Sequence, residues 1–454
     1  MNQYLVDIYK DVPETISDAI EMDDANVPIL IYEGNFFLTH KEFQIEINGK
    51  IVYEWLPNAG VKFSGETKLD LPVLYSAFHS QDTFQLNFKN LNFTDCILSG
   101  FSSTNYNNST ELTGIISGPA IAGDKSISVS HIIFSIPNCR DFHGNDVKKT
   151  TTKALSSGKN RIVLENDVYK VTIDKCYGYK ESQDSLDRKG GFIIQYVGEL
   201  RKNKGNISFE ESKDVLHCLD TFLSFLNGRQ TSAHFCKGFF DKEVIWTDYT
   251  EHLVENYKWV ISWPVRRSIE GIDDMWKIFS TIWKNEDGKN FLISAIQWYV
   301  QANSSSLSVE GLIIMAQTGL ELIYNYLLIE KNKLLVGSDA ETISAANKIR
   351  LLLSHLNLRT AVPKAFTHLK EISEIDAPEV FVQIRNAIVH SREKNRKKLL
   401  KVNIWAKSEA LQLGIWYIEL SLLKILEFNG RYYNRTIRDQ YPSKCEQFVP
   451  WAKP

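Results

Sequence analysis

The sequence predicts an α+β protein with more than one domain: a β-rich, sandwich-like N-terminal domain followed by an all-α helical bundle. Short apolar runs with period-two alternation, separated by polar turns, fill the first half of the chain. Helical periodicity begins near Gly288 and continues almost to the end. The length of 454 residues also exceeds what one ordinary hydrophobic core needs. We therefore expect a β-rich domain at 1–248, a bridging segment at 249–286 and the bundle at 287–454.

The first half contains the strand-like runs. The apolar run at 28–32 and the alternation at 43–47 predict two strands, and Asn48-Gly49 predicts a hairpin turn into the run at 51–53. Ser208 and Glu211 form a capping-box pattern, which predicts one helix ending at Asn227-Gly228. Further strands are expected at 84–88, 127–134, 168–173, 192–197 and 243–246. Many short strands at irregular spacing are typical of a sandwich or a curled sheet.

The second half contains the helical patterns. Helices are expected at 291–300, 307–329, 339–356 and 365–372, and the last one at 397–428. Asp376 as the cap, with Pro378 in the first turn and Glu379 after it, predicts the start of a helix that extends to about Ile388. Several helices with short connections predict a bundle.

Composition narrows the class of protein. A hydrophobic content of 43% and a charged content of 24% are ordinary for a folded protein, and the net charge of −3 requires any nucleic-acid site to be a local patch. No basic stretch followed by an apolar run opens the chain, so we expect no signal peptide. Gln317 and Glu321 within the most apolar stretch favour a buried helix over a membrane-spanning one. Six scattered cysteines give no disulfide framework and predict a cytoplasmic protein.

Metal and cofactor motifs are not evident. Cys139 with His143, and His234 with Cys236, are spaced roughly like metal ligands, but neither pair repeats a known zinc pattern. The glycines between 114 and 123 lack the Lys-Ser or Lys-Thr of a phosphate-binding loop. We predict no metal site and no cofactor.

The run Arg385-Asn386-Ala387-Ile388-Val389-His390 carries the chemistry that we consider most informative. Arginine can hold phosphate oxygens through two hydrogen bonds, and histidine can exchange a proton near neutral pH. On an ideal helix Arg385 and His390 are separated by about 140° of rotation and about 7.5 Å of rise. They could converge only if the helix ends near His390 or if a symmetry mate supplies a second pair. From residue types alone, we favour a solvated arginine beside a histidine that interacts with the helix dipole.

A family resemblance favours catalysis instead. Arg385-Asn386-x-x-x-His390, on the penultimate long helix of a C-terminal bundle, resembles the signature of the HEPN ribonuclease superfamily. The closer resemblance is to the ApeA-like HEPN group of bacterial anti-phage proteins. The helix at 316–323, with Glu321 inside an apolar stripe, is similar to that group's first core helix, and the β-rich half before the bundle is similar to the ApeA layout. The resemblance covers about residues 288–430.

The resemblance implies a metal-independent endoribonuclease that pairs two bundles around one cleft. The 2′-hydroxyl of the RNA would attack the adjacent phosphate and leave a cyclic phosphate and a 5′-hydroxyl. Arg385 would hold the scissile phosphate, and His390 would be the general acid or base. Asn386 would orient the phosphate or the histidine. Glu321 would fix Arg385 or His390, or merely satisfy a buried polar partner.

A basic cluster follows the motif directly. One interpretation is a phosphate track for RNA, with an affinity that falls as salt rises. The alternative is a solvated face where the last helix begins. The cluster consists of Arg392, Lys394, Arg396, Lys397, Lys398 and Lys401.

We therefore expect an anti-phage defence protein that acts by abortive infection. The β-rich domain would sense the trigger or restrain the bundle, and the bundle would act as a toxin that cuts RNA once triggered. Expected partners are RNA, with tRNA as one candidate, a second copy of the chain in a homodimer or higher homo-oligomer, and a phage-derived trigger, with no membrane contact. The alternative is a non-catalytic HEPN bundle that dimerises and binds a partner protein or RNA. A third option is a carbohydrate or nucleotide ligand for the β-rich domain.

Overall fold

The computed structural model describes residues 9–17, 20–40, 43–68, 78, 83–89, 91–104, 109–150, 155–265, 268–304, 307–372, 375–390, 393, 397, 399–400 and 402–452. Within these ranges the protein is mixed α/β, with a β-rich N-terminal region and a helical C-terminal region. This confirms the predicted order of strands before helices. The strands of the first half form a closed barrel and an eight-stranded sheet instead of the expected sandwich-like arrangement, in so far as the described ranges extend.

The barrel comes first along the chain. Its strands are β1 (Ile29–His40), β2 (Phe43–Glu54), β3 (Gly60–Thr67), β4 (Phe84–Phe88), β5 (Leu91–Thr104) and β6 (Ser109–Ile116). They close in the order β1-β2-β3-β6-β5-β4, and each described pair is antiparallel. Alternate side chains such as Phe36, Leu38, Ile45 and Ile47 point inward and are fully buried. The period-two pattern of the sequence therefore fills the barrel interior.

The hairpin predicted at Asn48-Gly49 is wrong, because β2 continues straight through both residues. Gly49 pairs with Gly34 of β1 on one side and with Gly65 of β3 on the other. A Cβ atom on Gly49 would lie 2.0 Å from the carbonyl oxygen of Ser64. These glycines allow three strands to approach closely in a tightly curled barrel, so they do not mark a turn.

The eight-stranded sheet follows the barrel. Its strands are β7 (Ile121–Gly123), β8 (His131–Pro137), β9 (Asn145–Thr150), β10 (Leu155–Glu165), β11 (Tyr169–Lys175), β12 (Ile194–Lys202), β13 (His234–Phe240) and β14 (Glu243–Asp248). Helix α1 (Tyr179–Lys189) precedes β12, and helix α2 (Phe209–Asn227) follows it. The capping box of Ser208 and Glu211 is confirmed at the start of α2, which ends before Gly228 as predicted. Within the described ranges, the strands of this sheet lie in the order β7-β14-β13-β8-β12-β11-β10-β9.

The C-terminal region is helical. Helix α5 (Val309–Tyr324) continues into a π-helical segment, Asn325–Lys331. The helix expected at 339–356 is interrupted, because Ser344 caps a new helix start, and the last helix begins only after its cap Asn403. The helices are α3 (Ile272–Trp283), α4 (Glu286–Asn303), α5 (Val309–Tyr324), α6 (Ser338–Thr342), α7 (Ala345–His355), α8 (Thr367–Lys370), α9 (Ala377–Val389) and α10 (Ile404–Ile425). A short hairpin of β15 (Arg431–Tyr433) and β16 (Glu446–Phe448) follows α10.

One hydrophobic core joins the sheet, α2 and the bundle, whereas most of the barrel interior forms a separate cluster. Aromatic side chains of α2 make the junction. Phe222 lies 5.2 Å from Trp276 of α3 between ring centroids, and Phe225 lies 5.5 Å from Tyr299 of α4. The domain boundaries expected at 248 and 286 remain predictions.

The helix formed by α5 and its π-helical continuation is long and apolar enough to cross a membrane, judged by length and composition alone. Over half of its apolar window is buried inside the protein. The core helix of a soluble protein meets the same criterion, so this helix is weak evidence for a membrane contact.

Candidate functional site

Helix α9, which carries the Arg385–His390 motif, is fixed at its N-terminus. The carboxylate of Asp376 accepts a hydrogen bond from the Glu379 backbone N–H at 3.0 Å, which confirms the predicted cap. Arg350 of α7 donates to both carboxylate oxygens of Asp376, at 2.7 and 2.9 Å, and to Glu379 at 3.0 Å. Burial alone would raise the pKa of Asp376, but the bonds from Arg350 and the Glu379 N–H outweigh it and lower that pKa. This clamp holds α9 against α7.

The C-terminus of α9 lies at the motif. The helix ends at Val389, and His390 is the capping residue, with φ −90° and ψ 85°. Its backbone N–H donates to the carbonyl oxygen of Asn386 at 2.9 Å. Residue 390 is exposed, whereas Arg385 is half-buried. The helix end that convergence of the two side chains requires is therefore present.

Arg385 has unused hydrogen-bonding capacity. Its Nη1 donates to Oδ1 of Asn386 at 3.0 Å. Its Nε is buried and has no hydrogen-bond partner among the described residues. Of the N–H donors of the guanidinium, one bonds to Asn386 and the buried Nε–H is out of reach of a ligand, so it is the other Nη donors that can bind one. Within the described ranges, Arg385 is hydrogen-bonded to Asn386 and not to His390.

Tyr324 of α5 lies within electrostatic range of both Glu321 and Arg385. Burial raises the pKa of Tyr324, the charge of Glu321 raises it further, and the charge of Arg385 opposes both. Both charged groups therefore act on one hydroxyl, which brings the α5 carboxylate and the α9 guanidinium into the same region. Glu321 itself is exposed, so it does not need a buried polar partner. Tyr324 is not among the predicted site residues, although its i+3 spacing from Glu321 places both on one helix face.

The winding of the helix changes directly after Tyr324. The π-helical segment begins at Asn325, and the ammonium of Lys348 lies 5.0 Å from the centre of the Tyr324 ring. Such π-helical turns are frequent at functional sites. The site thus combines α5, α7 and α9 around Tyr324.

The predicted basic cluster can be assessed only at Lys397. Lys397 is exposed and forms an ion pair with Glu393 at 2.6 Å. The cluster precedes the last helix and does not start it, because α10 begins at Ile404. Arg392, Lys394, Arg396, Lys398 and Lys401 lie outside the described residues.

Exposed apolar side chains lie near His390 in the chain. Trp405, in the first turn of α10, is 64% exposed, and Ile404 beside it is 56% exposed. Val389 and Leu400 are also exposed. Large exposed apolar side chains often mark an interaction surface when they adjoin one another.

A metal-binding cluster is not found in the described part of the chain, where no three His, Cys, Asp or Glu side chains are grouped to hold an ion. All six cysteines lie in that part and are free. Burial is the main cause that lowers the pKa of His234 to about 3, and burial also raises the pKa of Cys236. These two residues are therefore neutral core side chains.

Comparison with known proteins shows similarity to YopA proteins. The family model of the YopA central domain matches residues 124–260, and that of the YopA C-terminal domain matches residues 285–446. The SPbeta prophage-derived uncharacterized protein YopA of Bacillus subtilis (strain 168) is 27% identical over 436 residues, which cover 94% of this chain and 96% of that protein. No solved structure matches the chain. Neither matched model is a HEPN model, so the HEPN resemblance remains a prediction. The chain is therefore similar to YopA, with a YopA-like central domain at 124–260 and a YopA-like C-terminal domain that contains Arg385 and His390.

Proposed function

We propose that this protein is a HEPN-type endoribonuclease that cuts cytoplasmic RNA without a metal ion as part of an anti-phage response. One observation supports it above all. Arg385 is half-buried, donates to Asn386 through Nη1, and lies five residues before a histidine at an exposed helix end. A fixed guanidinium and a solvent-accessible imidazole are the groups that transphosphorylation of RNA needs.

In the proposed reaction, the 2′-oxygen of the RNA forms a bond to phosphorus as the bond from phosphorus to the 5′-oxygen breaks. One His390 removes the proton of the 2′-hydroxyl, and a second His390 donates a proton to the leaving 5′-oxygen. The products are a 2′,3′-cyclic phosphate and a 5′-hydroxyl. Arg385 would stabilise the negative charge on the phosphate, and Asn386 would hold the guanidinium through the bond it already accepts. Glu321 would restrain Arg385 electrostatically through their shared neighbourhood at Tyr324.

Two copies of the chain are part of the proposal, because one histidine cannot act as acid and base at the same time in a single step. The exposed side chains of Val389, Ile404 and Trp405 support it, since they provide apolar surface beside His390 in the chain. Lys397 and the neighbouring basic residues would contact RNA phosphates outside the cleft.

The biological setting of the proposal is defence. The relative from Bacillus subtilis is prophage-derived by its name, which is compatible with a role when phages compete for one host. We propose that the β-rich region senses a phage-derived trigger and that the bundle then stops growth by cutting RNA, with tRNA as one candidate.

The test is cleavage of labelled tRNA and total RNA by the purified full chain in the presence of a chelator. We expect products with cyclic phosphate ends, and we expect Arg385→Ala and His390→Ala to lower the cleavage rate at least about 100-fold, the usual contribution of such a group. Arg359→Ala and His355→Ala are matched controls, because both remove exposed side chains from neighbouring segments of the bundle. Their rates should equal that of the parent. Retained cleavage in both motif variants would refute the catalytic assignment.

A non-catalytic bundle that binds RNA or a protein partner is the second candidate. The bond from Arg385 to Asn386 favours it, because a partly satisfied arginine can be purely structural. In that case the parent would bind RNA in a mobility-shift assay and leave it intact, and Arg385→Ala would lower the melting temperature instead of a reaction rate.

A further inference from the structure

A cavity of about 670 Å³ lies where the sheet region meets the helical bundle. Its walls come from α2, from α4 and from the segment at 252–255. This volume is in the range of small-molecule sites, which occur preferentially at junctions of this kind. None of its lining residues belongs to α5 or α9, so it is separate from the Arg385–His390 motif.

Asp220 of α2 is the polar group that distinguishes this cavity. Its Oδ1 accepts a hydrogen bond from the Ala233 backbone N–H at 2.7 Å. Among the described residues, its Oδ2 has no hydrogen-bond donor and its carboxyl group has no ion-pair partner. Burial raises the pKa of Asp220 well above its ordinary value, and only the Ala233 N–H opposes this. Asp220 is half-buried and lines the cavity, so a ligand in the cavity can donate a hydrogen bond to its unbonded oxygen.

The other polar groups of the cavity are also available. The side-chain amides of Gln230, Gln297 and Gln301 line it, and none of the three makes a hydrogen bond to another described residue. Ile296 and Val300 of α4 add an apolar wall. This combination of amides, one carboxyl group and an aliphatic surface suits a small ligand with a flat or slender apolar part.

The charges of the lining indicate which ligands fit. Two carboxyl groups, Asp220 and Glu255, line the cavity, and no lysine or arginine is among its described lining residues. Burial also raises the pKa of Glu255. A phosphate or carboxylate ligand would find no lysine or arginine in this lining, where His217 and His252 are the other titratable side chains, and ionised Asp220 or Glu255 would repel it. The cavity therefore suits a neutral or cationic ligand.

We propose that this cavity binds a small unphosphorylated molecule. The ligand has one planar group with two adjacent N–H donors, and both donors bond to the carboxylate of Asp220. The guanine base of a nucleoside and the guanidinium group of an alkylguanidine both have this arrangement. The ligand's donors favour the ionised form of Asp220, whose proton passes to solvent, and the carboxylate accepts both N–H groups through Oδ2 and the remaining lone pair of Oδ1. The ligand's remaining polar groups bond to Gln230, Gln297 or Gln301. This proposal does not depend on RNA cleavage.

Calorimetric titration of the full chain tests the proposal. Guanosine and agmatine each present the donor pair, so binding of guanosine identifies a nucleobase site and binding of agmatine identifies a guanidinium site. Adenosine lacks the pair and should not bind, and guanosine 5′-monophosphate should bind at least tenfold more weakly than guanosine. If neither guanosine nor agmatine binds the parent protein, the proposal is overturned.

Variants provide the second arm of the test. Asp220→Asn keeps the acceptor for the Ala233 N–H but presents an amide to the ligand, so we expect affinity to fall at least tenfold. Gln297→Ala removes an exposed cavity amide without disturbing the core, and we expect a loss of about threefold. Glu210→Gln is the matched control, because Glu210 lies on the same helix, is 81% exposed and lies outside the cavity. Melting curves without ligand confirm that each variant is folded. Unchanged affinity in both Asp220→Asn and Gln297→Ala would overturn the proposal.

Discussion

At the scale of single residues, two aspartates show how surroundings set the sign of an acid's contribution to stability. Asp376 receives two bonds from Arg350 and one from a backbone N–H, which together lower its pKa. Asp220 receives one backbone bond, and burial raises its pKa. The ionised form is therefore favoured by folding at Asp376 and disfavoured by folding at Asp220.

These two residues predict opposite pH dependences. As the pH falls below the ordinary aspartate pKa near 3.8, Asp376 is protonated in the unfolded chain before it is protonated in the folded protein. The stability that its ionised form contributes is therefore lost as the pH falls through its lower folded-state pKa. Asp376→Asn should cost about 1 kcal/mol at pH 7 and less at pH 3. For Asp220, stability is lost as the pH rises from about 4 through the raised folded-state pKa, so Asp220→Asn should be more stable than the parent at pH 8.

Urea unfolding at several pH values, followed by circular dichroism, measures both effects. The difference between Asp220→Asn and the parent should shrink toward pH 4. An Asp220→Asn protein that is less stable than the parent at pH 8 would contradict the assigned pKa direction.

At the scale of elements, the barrel depends on three paired glycines. Gly34, Gly49 and Gly65 lie side by side on β1, β2 and β3. A Cβ atom on Gly65 would lie 2.5 Å from the carbonyl oxygen of Asn48, and one on Gly49 would lie still closer to Ser64. Since the obstructing atoms belong to the backbone, no side-chain rotation can relieve the overlap.

We predict that Gly49→Ala destabilises the barrel by about 3 kcal/mol, the upper part of the usual range for overpacking. Gly100→Ala is the control, because Gly100 is also in the barrel and its Cβ would meet only a side-chain oxygen of Thr113, at 3.1 Å. It should cost less than about 1 kcal/mol. Hydrogen exchange of barrel amides reports the local effect, and equal protection in the two variants would be the contrary result.

The elements also show which structure the sequence predicts. Signals that act within one turn of chain were interpreted correctly, as at Ser208 and Asp376, because a cap needs only its own neighbours. Asn48-Gly49 was misinterpreted because its glycine is required by strands that are distant in sequence. The predicted start of the last helix lies too early in the chain because the basic run before Asn403 is rich in helix-forming residues. Closure of the barrel also depends on pairing between β1 and β4, which no local pattern specifies.

For the candidate site, the position of the motif at a helix end followed from local pattern, but its surroundings did not. Tyr324 and Arg350 join the motif through packing of α5 and α7 against α9, which depends on tertiary structure. The cavity at Asp220 is assembled from α2, α4 and a connecting segment, and no sequence motif marks it.

At the scale of the whole molecule, the proposed dimer contact consists of the exposed apolar side chains that follow α9 in the chain. Trp405 and Ile404 are largely exposed, and tryptophan is among the residues that dominate interface energetics. The proposed reaction requires such a contact to bring two His390 side chains toward one substrate.

We predict that Trp405→Asp raises the dimer dissociation constant about 30-fold, which corresponds to loss of a hot-spot residue worth about 2 kcal/mol. Trp259→Asp is the matched control, because Trp259 is 77% exposed but lies in the segment between the sheet and the bundle. Sedimentation velocity over a range of protein concentrations measures the effect. If both variants associate as the parent does, the surface around α9 is not the dimer contact.

The hydrophobic core of the barrel is largely separate from the core that the sheet shares with the bundle, and this separation has an evolutionary consequence. Its side chains pack mainly on one another, with Trp55 against Phe192 as one junction to the rest of the protein, and neither matched YopA domain model includes it. Recombination that replaced the barrel with another small module would leave the interior shared by the sheet and the bundle almost unchanged. In the proposed defence role, the barrel is thus the part that can change with the least effect on the core shared by the sheet and the bundle.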